Sequence, residues 1–150
     1  MLLCVVLLTA GCEKDKLDKQ MAELCQKDGG IKIYETVKLP PEYFDQSGHV
    51  KTSIKKINGE WVSIIADKYV AIEKSKILKE GDPLKGEGRL SRVHVSIKQI
   101  ADEKVIAEAI QYRRAGGDGF YLGHHTQNVC PNYPMELNDK IFIKTSGGKE

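Results

Sequence analysis

Between positions 113 and 134 the chain reads RRAGGDGFYLGHHTQNVCPNYP, its densest run of residue types that can do chemistry. Two adjacent histidines, His124 and His125, could hold a metal ion. Side chains of neighbouring residues on an extended chain point to opposite sides, so a third ligand such as Asp118 or His94 would be required. No HxH, HExxH or paired CxxC pattern is present, and no metal or other cofactor is expected. A phosphate cradle fits no better, because GGDGFYLG lacks the lysine of a phosphate-binding loop and opens no helical pattern. There is no GxSxG elbow. Asp102 and Glu103 stand at a predicted turn, where solvation suits them better than acid–base work. Cys130 beside His124 or His125 could act as a nucleophile.

Contact is the chemistry these residues serve best. Arg113, Arg114, Phe120, Tyr121 and Tyr133, with His124 and His125, are types suited to a binding surface, and arginine and tyrosine are enriched at interface hot spots. A long loop without structure of its own is usually functional or disordered, and a pinning cysteine argues against disorder. A purely structural role would instead place Phe120 and Tyr121 over the end of the core and Arg113 and Arg114 on a sheet surface. The expectation is a non-enzymatic protein that binds a protein or glycan partner through residues 113–134. The alternatives are a hydrolase or metal-binding protein using His124, His125 and Asp118, or an inhibitor that plugs the cleft of an enzyme.

Several elements must position this segment. In EKDKLDKQMAELCQKDGG, Leu17, Met21, Leu24 and Cys25 recur at helical spacing and predict a helix, stopped by Gly29 or Gly30. Ile31, Ile33 and Val37 alternate with polar residues and predict a strand ended by Pro40 and Pro41. A short helical turn is expected around Tyr43 and Phe44, then an exposed loop to Gly59. WVSIIADKYVAIEKSKIL predicts two strands with a turn near Asp67, and EGDPLKGEG a connecting loop. Val93, Val95 and Ile97 alternate, ADEK reverses the chain, and VIAEAIQYRR returns, which predicts a β-hairpin. LNDKIFIKT predicts a last strand in which Ile141 and Ile143 share a face, followed by a flexible tail over 146–150. The sum is an α+β fold, an N-terminal helix packed on an antiparallel sheet of five or six strands.

The 150 residues carry 23 basic and 21 acidic side chains, a net charge of +2, with no concentrated basic face for nucleic acid. The opening MLLCVVLLTAGC has no charged residue and then turns abruptly to EKDKLDK. An apolar run this short cannot cross a bilayer, which takes about 20 residues, but it matches the apolar region of a signal peptide. Thr9, Ala10, Gly11 and Cys12 resemble the lipobox of bacterial lipoproteins. No Lys or Arg precedes Cys12, and Thr9 stands where leucine is favoured. A start codon upstream of Met1 would account for the missing charge. The stretch from Val105 to Pro131 resembles a pattern in small uncharacterised proteobacterial proteins, to which no activity is attached.

The lipobox resemblance implies that residues 1–11 are removed as a signal peptide and that Cys12 is acylated. Residues 12–150 then form one periplasmic domain, tethered to a lipid bilayer, with the outer membrane favoured because Glu13 rather than Asp follows the cysteine. Two acyl chains suffice for stable anchoring. Cys4 leaves with the leader and Cys12 is consumed by lipid, so in that oxidising compartment a Cys25–Cys130 disulfide is implied.

Overall fold

The structure, a computed structural model, describes residues 10–119, 124–132 and 137–146, with side chains from Glu13 onward. Helix α1 (Ala10–Asp28) is followed by strands β1 (Gly30–Ile33), β2 (Val37–Leu39), β3 (Thr52–Ile57), β4 (Glu60–Ile65), β5 (Tyr69–Lys79), β6 (Arg89–Gln99), β7 (Val105–Ala115) and β8 (Gln127–Cys130), then helix α2 (Leu137–Ile141) and strand β9 (Phe142–Lys144). The class is α+β, as the sequence predicts. The main sheet runs β1-β7-β6-β5-β4-β3, with β8 also on β7, and β2 pairs with β9 in a separate parallel ribbon. No described helix is long and apolar enough to cross a membrane. The chain divides into two compact units.

The first unit comprises Met1–Gly30, Ser75–Val93 and Ile110–Asn132. Leu17, Met21 and Cys25 fall on one stripe of α1 and are buried against Leu90 of β6 and Tyr112 of β7. Full burial of Leu or Met side chains contributes about 1.5–3 kcal/mol each, which holds the helix on the sheet. The helix ends where Gly29 N–H donates to Cys25 O at 2.8 Å and Gly30 takes a φ of 133°. A side chain at Gly29 would stand 2.6 Å from that same carbonyl.

The second unit comprises Ile31–Lys74, His94–Ala109 and Tyr133–Glu150. Its core gathers Leu39, Phe44, Val50, Ile65, Tyr69, Ile97, Ile106, Ile141 and Phe142. Tyr69 and Phe142 meet with ring centroids 5.2 Å apart.

Four elements differ from the sequence reading. Within the segment read as a loop over 113–134, Gln127–Cys130 is a strand, β8, paired antiparallel with β7. The strand expected from Ile31 to Val37 is two strands, because Tyr34 and Glu35 N–H both donate to Ile106 O and the chain then leaves the sheet. The loop expected before Gly59 contains β3, which pairs with all of β4 through a two-residue Asn58–Gly59 turn with φ of 50° and 86°. All six β3 side chains are exposed, so no apolar alternation marks the strand; backbone pairing supports it. Finally, Leu137–Ile141 is a helical turn, and it shifts the phase of the strand after it. Ile141 and Phe142 are both buried, whereas Ile143 is 43% exposed.

Candidate functional site

Arg114, Gly117 and Asp118, from the segment singled out by its chemistry, lie against the first half of α1. Lys79, at the end of β5, donates to Glu13 Oε1 at 2.6 Å and to Gly88 O at 2.7 Å, and Gly88 N–H donates to Glu13 Oε2 at 3.3 Å. Lys14 lies 3.5 Å from Asp118 Oδ1. Asp118 in turn accepts from Thr126 N–H at 2.9 Å and from the Thr126 hydroxyl at 2.7 Å. These contacts join α1 to the segments on either side of β6 and β7.

Arg114 organises the centre of this network. Only 2% of its side chain is exposed. Its Nε and Nη2 donate to the two oxygens of Asp18 at 2.9 and 3.1 Å, a bidentate pair. Its Nη1 donates to Gly116 O, Thr126 O and Thr126 Oγ1. Asn128 adds a donor to Asp18 at 3.1 Å. Arg114, expected on the contact surface or a sheet surface, is therefore an interior residue. The reason is that α1 lays Asp18 directly over β7, and an arginine fork satisfies both carboxylate oxygens at once.

The glycines serve the same seat. A Cβ at Gly117 would lie 3.2 Å from the backbone of Lys14, and one at Gly88 only 2.2 Å from Leu17 Cδ1. At Gly116 it would lie 2.3 Å from Glu87 O and 2.9 Å from Pro83 Cα, at a φ of 74°. Gly116→Ala thus combines a left-handed backbone with a clash against main chain. It should lower the unfolding free energy by roughly 2–4 kcal/mol, read by urea denaturation. A change under about 0.5 kcal/mol, the range of ordinary surface substitutions, would show that this turn is not tightly seated.

Charge holds the seat at neutral pH. Burial pushes the Asp18 carboxyl up, but the Arg114 and Asn128 hydrogen bonds outweigh it and hold the group below its ordinary range. Burial likewise opposes, and the Thr126 bonds outweigh it, at Asp118. The Tyr112 hydroxyl, then Arg92 against the burial effect, lowers Asp28, and Lys79 lowers Glu13. The folded values lie below the unfolded ones. Their stabilisation is therefore full above the unfolded carboxylate range, about pH 4–5, and is lost as pH falls through the folded values. Urea midpoints should hold from neutral pH down to that range and fall steeply below it. Asp18→Asn should flatten the acid fall; an unchanged slope would place the titrating groups elsewhere.

The other predicted residues are dispersed. Cys25 and Cys130 form a disulfide with Cα atoms 5.8 Å apart, which removes Cys130 as a nucleophile. His124 is exposed; His125 is half-buried and accepts from the Gln127 side-chain amide at 3.1 Å. Arg113 is exposed and donates to Gln111 Oε1 at 2.8 Å. His94 pairs instead with Glu108 at 2.9 Å in the second unit, and Glu108 also accepts from Tyr34 at 2.6 Å. No group of three His, Cys, Asp or Glu among the described residues lies within reach of one metal ion. Phe120, Tyr121 and Tyr133 lie outside the described residues, as do residues 1–9 of the leader expected over 1–11 and residues 147–150 of the tail expected over 146–150.

A surface that the sequence reading missed lies on the second unit. β3 ends the main sheet, and its register with β4 puts Ile54, Lys56 and Trp61 on one face and Ile57 on the other. Ile54 is 71% exposed and Trp61 69%, with Lys56 Nζ 5.8 Å from the indole centroid. On the Ile57 side a groove of about 310 Å³ is floored by Val62, Val70 and Ile72 and edged by Ile100, Lys98 and Glu60. The Asn58–Gly59 turn could have revealed the hairpin, but nothing local in the sequence marks Trp61 as exposed.

No family model, curated protein or solved structure matches the chain. The remaining support for a function is therefore physical, and it comes from the two surfaces just described.

Proposed function

We propose that the protein is a non-enzymatic envelope lipoprotein, anchored by acyl chains on Cys12, that holds a partner protein through the outer hairpin β3–β4. The observation that carries the binding role is apolar exposure on both faces of that hairpin, with Ile54 and Trp61 on one and the Ile57-lined groove on the other. An exposed cluster of this kind, with a tryptophan anchor, suits a partner interface better than solvent. The Cys25–Cys130 disulfide supports the oxidising compartment that the lipobox implies.

Charge narrows the partner. Lys55 and Lys56 lie on the edge strand, and Lys51 directly precedes it. A second copy pairing edge to edge would set lysines against lysines, which disfavours self-association. An extended polypeptide segment with acidic and apolar side chains would instead add a strand to β3 and lay its side chains on Trp61 or in the groove. A glycan would leave the strand's outer backbone groups to water. In this reading Arg114, Gly116, Gly117, Asp118, Thr126 and Asn128 build the seat for α1, and Arg113 and His124 remain at the surface.

Photo-crosslinking in living bacteria tests the assignment. A crosslinking residue at position 54 or 61 should yield a discrete protein adduct, lost when Lys55 and Lys56 are changed to glutamate. Adducts from position 124 alone, or none from 54 and 61, would overturn it.

A further inference from the structure

We infer that the anchored protein stands directly on its bilayer, without a linker, and that the turn Pro83–Lys85 beside the start of α1 is its membrane-contact surface, with Leu84 entering the lipid interface. This deepens the lipoprotein reading and rests on it. The first observation is where the fold begins. Cys12 lies within α1, and its immediate neighbour Glu13 is already bonded to Lys79 and Gly88. Lys14 contacts Asp118, and Leu17 is buried. Each residue of an extended linker would add up to about 3.3–3.6 Å of reach, and here there is none to extend. Acyl chains on Cys12 would therefore bring the end of the first unit down with them.

The second observation is what that end displays. Gly117 packs on Lys14, and Gly116 packs on Pro83 and Glu87. Gly119 N–H donates to Gly86 O at 3.1 Å. The turn Pro83–Lys85 is thereby fixed beside the helix start. It is rigid in itself: Asp82 accepts from Leu84 N–H at 3.1 Å, and Gly86 closes it in the left-handed conformation at a φ of 83°. Yet its outer residue is Leu84, 59% exposed, followed by Lys85, whose side chain is 76% exposed and whose Nζ lies 3.6 Å from Asp82 Oδ2 in a solvent-facing pair. A leucine held out on a rigid turn, with a lysine beside it to meet lipid phosphate, fits the headgroup boundary of a bilayer. Along α1 the opposite end, at Lys27, lies about 22 Å from Cys12 at 1.5 Å per residue.

The test uses full-length lipidated protein purified from membranes, with Cys12 acylation first confirmed by mass spectrometry. A fluorescent amino acid is placed at position 85 or at position 27, and the protein is reconstituted into vesicles of phosphatidylethanolamine and phosphatidylglycerol that contain brominated lipid. Quenching should be several-fold stronger at 85 than at 27, and Leu84→Glu should bring the signal at 85 down towards that at 27. Equal quenching at the two positions in acylated protein would overturn the inference and leave the anchor itself standing. Quenching at 85 that Leu84→Glu does not change would remove Leu84 from the contact. An unacylated Cys12 would instead fell the anchor reading, and this inference with it.

Discussion

Cys130→Ser should cost the protein roughly 2–5 kcal/mol of unfolding free energy, the usual effect of losing a native disulfide from a small domain. The bond joins residues 105 apart in sequence. For a loop near 100 residues the chain-entropy model sets a ceiling of about 4.7 kcal/mol. It also joins the first element of its unit, α1, to the last, β8, beside the core of Leu17, Met21, Leu90 and Tyr112. The double variant Cys25→Ser, Cys130→Ser should be no less stable than either single one, because the bond is lost once in all three. Reductant should move the native protein's urea midpoint by a similar amount and leave the variants unchanged. A midpoint indifferent to reductant would mean that the two sulfurs are not joined.

Arg114→Met should rank next, at about 3 kcal/mol, the lower end of the cost of breaking a buried ion pair. The lower end applies because the Asp18 side chain is 28% exposed and recovers some water. The variant leaves Asp18 with Asn128 as its remaining side-chain donor in the network and strips a donor from Gly116 O and Thr126 O. Arg114→Lys should restore little, since one ammonium cannot span both Asp18 oxygens and the two carbonyls. Asp18→Asn combined with Arg114→Met should be less damaging than the two single effects added, because neither then strands a charge. Urea unfolding of all four proteins reads this out; strict additivity would show that the pair does not interact.

The parts of this fold that are local in sequence could be read there. Leu17, Met21 and Cys25 repeat at helical spacing, and Val93 and Ile97 mark the inward side of β6, so α1 and the β6–β7 hairpin are evident from the residues alone. The disulfide was expected from the cysteine count together with the compartment that the lipobox resemblance implies. The parts that depend on distant neighbours were not legible. Gly116 and Gly117 read as part of a loop that contacts a partner, yet they are glycines because Glu87 and Lys14, roughly 30 and 100 residues away, approach too closely for a Cβ. Arg114 reads as a surface charge until α1 brings Asp18 over it. β3 carries no apolar alternation because both its faces are exposed, and its one local signal is the Asn58–Gly59 turn. The exposed apolar face of the β3–β4 hairpin was missed for the same reason, since side chains beyond a strand not recognised cannot be assigned a face.

Mass spectrometry of the N-terminal peptide, from protein extracted out of native membranes, tests the central claim most directly. The account predicts a peptide that begins at Cys12, heavier by the mass of its acyl groups, with residues 1–11 absent. A peptide that retains Met1 and carries an unmodified Cys12 thiol would contradict it.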